Sequence, residues 1–368
     1  MDNTLPVHPQ PMPDELFSSW VYRAAKANGQ NVFSFCHLLL PELNGRYYDI
    51  DNSVNEAAIQ KLSHFLRTPF LNAWTTTLDS YAGLLFSRVT PKAKRKACIL
   101  QTGITRYSNK RFCLQYCPSC LAEREPYYRK EWRISFVTVC TKHKCKLHDR
   151  CPQCHKPVKP LLNDVGQPHK MPYLGDITQC YNCGFRLSEA LVAQADADLI
   201  DDTHFYRSTL KTGYCRLDAT RSWVYSFSFF CVLRHLIYLL KPKYNHSINP
   251  DTMPLASRYY AMKRAKGFFK NWPSRLVELC EQSGIRYFHF TNMSKSKPAI
   301  PYWFDVAIRP EMYRPNYGPT KECVQSAMQY MSDKKLRMSL LQVNKLLGYR
   351  DSGLVKKFYK DLVGQFRK

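Results

Sequence analysis

Between Cys117 and Cys183 the sequence sets three Cys-x-x-Cys pairs and one Cys-x-x-His pair: Cys117/Cys120, Cys140/His143, Cys151/Cys154 and Cys180/Cys183. Two donors three residues apart can be offered by one tight turn, and two such turns close a tetrahedron around zinc. In chain order the pairs read Cys-x2-Cys-x19-Cys-x2-His and Cys-x2-Cys-x25-Cys-x2-Cys. Each set is complete, leaving no position for a reactive water. The spacing therefore predicts two structural Zn2+ ions and argues against a zinc hydrolase. A competing Cys-x-x-His pair, Cys145/His148, overlaps the first set, and Cys113 lies just upstream. Cys140 and His143 are preferred because they leave a short spacer before the second set.

Composition narrows the setting. The chain has 368 residues, 45% of them hydrophobic and 14% aromatic, which suits a folded protein with a sizeable core. Lys and Arg number 54 against 29 acids, a formal charge of +25 that asks for a polyanionic or acidic partner, nucleic acid first. The start, Met1 to Pro13, shows no basic or apolar leader pattern, so the fifteen cysteines are expected in a reduced cytoplasmic environment and not as a disulfide framework. Cys36, Cys98, Cys215, Cys231, Cys280 and Cys323 stand alone and read as small core side chains. The most apolar run, Trp223 to Leu240, carries Arg234 and His235, so a helix buried in protein is expected there and not a membrane span.

Along the chain, Pro13-Asp14-Glu15-Leu16 reads as a first helical turn, continued by Phe17, Trp20, Val21, Ala24 and Ala25 and stopped at Asn28-Gly29. A helix over Val32 to Leu40 ends before Pro41, Ser53 and Glu56 form a capping box for a helix through Arg67, and Phe70 to Tyr81 is another helix. These predict an N-terminal helix-turn-helix-like unit. Arg88 to Arg111 has no acid and carries Lys92, Lys94, Arg95 and Lys96, which reads equally as a solvated linker or as a phosphate-contacting segment. Trp132, Phe136 and Val139 are candidate core residues between ligand turns, and the stretch from Pro157 to Pro172 is a loop within the second set. Helices resume after Ala190: Arg258 to Phe269, then one capped by Ser274 and ended by Gly284. The domains expected are 1–110, a helical unit with a basic connector; 111–190, a tandem zinc-binding region; 191–320, a helical domain; and 321–368, a C-terminal helix-turn-helix. The fold class is mostly α.

The last forty residues carry the helix-turn-helix pattern. Leu340, Leu341, Val343, Leu346 and Leu347 mark one short helix, Gly348 breaks it, and Asp351 or Ser352 caps a second with Leu354, Val355, Phe358 and Leu362. Lys356, Lys357 and Lys360, with Arg350 and Ser352 at the turn, are candidate nucleic-acid contacts. The bland alternative is a helical hairpin packed on its own domain. Asn344 stands where such motifs want a small apolar residue.

The segments Pro13-Asp14-Glu15-Leu16-Phe17-Ser18-Ser19-Trp20-Val21-Tyr22-Arg23 with Ala27-Asn28-Gly29, Cys117-Pro118-Ser119-Cys120-Leu121 with Trp132 and Cys140-x-x-His143, and Phe268-Phe269-Lys270-Asn271-Trp272-Pro273 resemble, in order, landmarks of the TniQ/TnsD family. The resemblance implies a bacterial transposon's target-selection protein that recruits the AAA+ regulator TnsC and, through it, the transposase. Shorter TniQ-type members dock as homodimers on an RNA-guided CRISPR Cascade complex with its guide RNA, whereas longer TnsD-type members bind attachment-site DNA themselves. Length favours the Cascade adaptor. The +25 charge and the C-terminal helix-turn-helix favour direct contact with target DNA.

An enzyme is the third possibility. No Gly-x4-Gly-Lys-Ser/Thr loop occurs, and acids that could hold magnesium are scarce. The close pairs Asp201-Asp202 and Asp49/Asp51 read as polar loop or cap residues. No catalytic residue and no bound organic cofactor is expected.

Overall fold

The computed structural model describes residues 4–43, 49–52, 55–87, 96–101, 112–163, 176–217, 223–243, 249–291, 300–313 and 319–366. The chain divides into two compact units, Met1–Met312 and Tyr313–Lys368. Both are mostly helical, and the strands among the described residues form two short two-stranded ribbons.

The first unit opens with α1 (Phe17–Ala27), α2 (Val32–Leu39), α3 (Glu56–Phe65) and α4 (Phe70–Thr75). Trp20, Phe35, Ile59, Leu62 and Leu78 bury among them. Asn28 and Gly29 close α1, with Gly29 at φ +66°, a left-handed conformation that a side chain would strain. The proline and acids expected in its first turn lie outside the helix. Leu16 is the N-cap, Asp14 adopts φ 59°, and Glu15 bridges antiparallel to Arg129. Glu15 is instead a buried anchor that accepts from Met12 N–H, Ser19 Oγ and Arg23 Nη1 at 2.7–2.9 Å. Ser53 lies outside the described residues; the α3 cap is Asn55, whose side chain accepts from Ala57 N–H. The expected helix over Phe70 to Tyr81 ends at Thr75 and is followed by a 3-10 turn, Leu78–Tyr81.

Next come α5 (Pro118–Leu121), the ribbon β1 (Val139–Cys140) with β2 (Cys145–Lys146), and α6 (Ala197–Thr212). A second ribbon follows, β3 (Tyr214–Arg216) with β4 (Trp223–Tyr225), leading straight into α7 (Ser226–Leu240). The apolar run expected to be one helix therefore begins as a strand. Gly213, at φ 83°, ends α6, and the pairing Tyr214↔Tyr225, Arg216↔Trp223 puts Cys215 and Val224 inward. In α7 Arg234 is answered by Asp251 at 2.9 Å, and among the described residues no helix is long and apolar enough to cross a membrane.

The unit finishes with α8 (Leu255–Ala265), α9 (Ser274–Ser283), α10 (Tyr287–Thr291) and α11 (Tyr302–Met312). Ser274 is the first residue of α9 and not its cap, which is Pro273; Gly284 ends the helix in the left-handed region as expected. One continuous core runs from Leu16 to Ile308, so the three segments expected N-terminal to residue 320 share their apolar interior. Its centre is aromatic: Phe136 stacks on Phe230 at 4.6 Å, and Phe205 on Phe269 at 4.1 Å. Cys36, Cys98, Cys215 and Cys280 are buried as expected, Cys231 is half-buried, and Cys323 is exposed because it lies on the outer face of a helix in the second unit.

The second unit is a three-helix assembly, α12 (Lys321–Asp333), α13 (Leu340–Leu346) and α14 (Gly353–Phe366), around Val324, Met328, Met331, Val343, Val355 and Leu362. Gly348 at φ +78° makes the turn between α13 and α14, and Ser352 Oγ accepts from Val355 N–H at 3.3 Å. Leu341 and Leu346, expected inside, are exposed. The buried face of α13 passes through Val343 and Asn344, whose Nδ2 donates to Leu340 O at 3.0 Å.

Candidate metal centres and nucleic-acid surfaces

Cys117 caps α5 and Cys120 lies within it, so the first pair is set by a proline-started helical turn. Cys140 ends β1, and His143 sits in the turn to β2, where Lys144 takes φ 52°. Pairing of Tyr116 with His148 lays the α5 approach beside this ribbon. The result brings Cys117, Cys120, Cys140 and His143 together with all four donor atoms within 4.8 Å of one another. Cys120 Sγ is 3.7 Å from Cys140 Sγ and 3.2 Å from His143 Nδ1, and Cys117 Sγ is 3.5 Å from that nitrogen. A tetrahedron of metal–sulfur length near 2.3 Å has an edge of about 3.8 Å. The donor set therefore fits a tetrahedral ion, and it can hold one. Glu123 Oε1 lies 3.4 Å from His143 Nε2, the outward nitrogen, as a carboxylate that orients a ligating imidazole does. Hydrogen bonding from Cys117, Cys120 and Cys145 pulls the Cys140 thiol far below its ordinary pKa, while the Cys117, Cys120 and Cys145 thiols are raised above theirs.

The competing pair separates. His148 Nε2 is bonded to Leu191 O at 2.9 Å and its ring stacks on Tyr116, so it faces away from the sulfurs. Cys145, fully buried, touches Cys117 Sγ at 3.4 Å as a fifth sulfur beside the four. Cys113 lies apart, against Arg133 and Asp49, where burial pushes its thiol up to about 11.

In the second set two tight turns face each other. Cys151 N–H donates to Lys156 O at 2.9 Å and Cys180 N–H to Phe185 O at 2.8 Å, closing each turn around its pair. Cys151–Cys183 and Cys154–Cys180 separations are both 3.6 Å, and the four sulfurs all lie within 4.8 Å of one another. Of the long loop between the pairs, residues 164–175 fall outside the described residues. The sets differ in setting: Cys117, Cys120 and Cys140 of the first are all buried, whereas Cys183 of the second is exposed and Cys154 half-buried. Cysteines of both sets belong to the main core, Cys117, Cys120 and Cys140 from the first and Cys151 and Cys180 from the second.

Among the basic candidates, Arg350, Lys356, Lys357 and Lys360 are exposed on the turn and outer face of α14, and Ser352 is engaged as the helix cap. Lys92, Lys94 and Arg95 fall outside the described residues. Lys96 is no surface contact. It is 4% exposed, its Nζ paired to Asp79 at 3.0 Å and donating to Asn52 O, because the chain re-enters the core there.

Asp49 and Asp51 lie in a turn outside the helices, as expected, and Asp51 accepts from Ser18 N–H at 2.8 Å in the first turn of α1, whereas Asp201 and Asp202 fall within α6. Asp49 and Asp51 are buried and grip Arg133, with Nη–Oδ distances of 2.9, 2.9 and 3.2 Å. Asp202 is buried in α6 and accepts from Gly267 N–H at 2.8 Å, while Asp201 is exposed on the same helix. Two buried arginines went unread in the sequence. Arg133 also donates to Leu100 O, and Arg258 donates to Met253 O, Ser135 O and Gln115 Oε1 at 2.8–3.1 Å. Nothing local marks them, since their partners are far away in the chain. The β3–β4 ribbon was also missed, although Tyr214-Cys215-Arg216 and Trp223-Val224-Tyr225 alternate as strands do.

The first landmark of the family resemblance packs against the segment that carries Trp132 of the second. Leu16 N–H donates to Tyr128 O, Tyr128 N–H to Ser19 Oγ, and Trp132 lies edge-on to Tyr128. No curated protein matches this chain. The model of one family, TniQ, matches residues 6–147, the stretch that runs from ahead of α1 through the first donor set, and over that stretch the chain is similar to the TniQ family.

Proposed function

We propose that this chain is a non-enzymatic target-selection adaptor of a bacterial transposon, held in shape by two structural zinc ions. A TniQ domain implies a role in transposon target selection, and the match over residues 6–147 is the observation that carries the reading. The donor sets support the zinc assignment: three thiolates with one imidazole, and four thiolates, are donor combinations that zinc prefers, and neither leaves a vacant ligand position. Bound there, the ions supply no chemistry beyond cross-linking the turns. The buried acids support the absence of catalysis, since Asp49 and Asp51 are consumed by Arg133.

In this reading the partners are a CRISPR Cascade complex with guide RNA, the AAA+ regulator TnsC and target DNA, with the protein acting as a homodimer in the cytoplasm. A second reading, direct selection of attachment-site DNA, is favoured by the exposed lysines of α14, which follows a glycine turn and a serine cap as a recognition helix does. Co-purification with tagged Cascade and with TnsC tests the first reading. Tight, competitor-resistant gel shifts of attachment-site duplex by the isolated protein would replace it with the second.

A further inference from the structure

We propose that the outward face of the β3–β4 ribbon binds unpaired bases of a single-stranded nucleic acid. Single exposed aromatics are ordinary, but here three share one face. Tyr214 is 51%, Trp223 69% and Tyr225 42% exposed, while Cys215 and Val224 between them are buried. The two tyrosine rings pair across the ribbon at 5.6 Å, and Arg216 lies in register opposite Trp223. Neighbouring same-face residues on one strand stand about 6.6 Å apart, so Trp223 and Tyr225 offer successive platforms.

The face is held rigidly. Tyr225 Oη donates to Gly83 O, Ser226 Oγ donates to Leu84 O at 2.8 Å, and Ser226 N–H donates to Gly213 O at 2.9 Å, tying the ribbon to α6 and to the 83–84 turn. Charge selects the occupant. Lys211 in the last turn of α6 and Arg216 on β3 are the basic residues of the adjoining elements beside Arg207, which is paired with Glu131 at 3.0 Å, and the chain as a whole carries a formal charge of +25. Such surroundings attract a polyanion. A duplex hides its base faces by stacking them on each other; an unpaired strand presents them to aromatic side chains, with guanidinium groups assisting. This inference stands whether the target is chosen through guide RNA or by direct reading of DNA.

The test uses the full metal-loaded chain, a labelled oligothymidylate and a labelled duplex of equal length, read by fluorescence anisotropy across a salt series. Trp223→Ala is expected to weaken the single strand about tenfold while the salt slope stays unchanged, because phosphate contacts remain. Trp223→Phe should restore most of the affinity, and duplex binding should hardly move. Circular dichroism and melting of Trp223→Ala should match the parent, given the exposure of that side chain. No single-strand binding by the parent protein, an unchanged affinity in Trp223→Ala, or an equal loss on the duplex would each overturn the proposal. So would intact oligothymidylate binding with loss of TnsC or Cascade capture, which would make the face a protein dock.

Discussion

Arg133 shows how single residues decide this fold. Burial works against its charge, yet Asp49 and Asp51 more than compensate and raise its pKa, so a guanidinium sits in the interior holding the segment around Ile50 to the 3-10 turn after Tyr128. Arg133→Met would leave two buried carboxylates without their cation, and an equilibrium urea titration should record a loss of about 3–5 kcal/mol. Asp202 behaves differently. Burial pushes its carboxyl up to about 6, above the ordinary 3.8, and its Oδ1 has no hydrogen-bond partner. A folded-state pKa above the unfolded one gives stability that is whole below about pH 4 and is lost as pH rises through about 6. Asp202→Asn keeps the acceptor for Gly267 N–H and removes the titration. Its melting temperature relative to the parent should therefore rise between pH 5 and about 6.5 and then level off, and a difference independent of pH would refute the assignment. At this scale the sequence was legible where chemistry is local. The eight metal donors could be grouped because each pair spans one turn. Arg133–Asp49 and Arg258–Gln115 could not, because 84 and 143 residues separate the partners and no pattern in the intervening chain links them.

At the scale of elements, the two donor sets should not respond alike to removal of a ligand. The three cysteines of the first are buried in the main core, so Cys117→Ser should release one ion and unfold the surrounding core, seen as loss of soluble protein or a collapsed thermal transition. The second lies nearer the surface, with Cys183 exposed, so Cys180→Ser should leave one ion per chain by elemental analysis and lower the melting temperature less. Two ions retained in Cys180→Ser would disprove the second ligand set. In the C-terminal unit, Lys356→Ala with Lys357→Ala should flatten the salt dependence of nucleic-acid binding with melting nearly unchanged, as both side chains are exposed; an unaltered slope would mean that this helix faces protein. Helix ends were readable wherever glycine or asparagine supplied them, as at Gly29, Gly284 and Gly348. They were misread where tertiary pairing intervened: Glu15 is drawn out of α1 by its bridge to Arg129, and Trp223–Tyr225 is drawn into a ribbon by β3. The inward face of α13 was misjudged for a related reason. Apolar count pointed to Leu341 and Leu346, but the helix turns Asn344 inside, where its Nδ2 donates to Leu340 O.

For the whole molecule, the continuous interior from Leu16 to Ile308 has a consequence for how such proteins can be recombined. The stretch that matches TniQ ends at residue 147, but Phe136 there rests on Phe230, and Ser135 O and Gln115 are held by Arg258. A chain cut after Leu147 would expose those contacts, and it should appear in inclusion bodies or bind a hydrophobic dye strongly. Residues 313–368 have their own apolar centre and should fold alone, with a cooperative helical melt by circular dichroism. A shuffling event can therefore graft the tail onto another host as a cassette, whereas everything ahead of it must be inherited as a block.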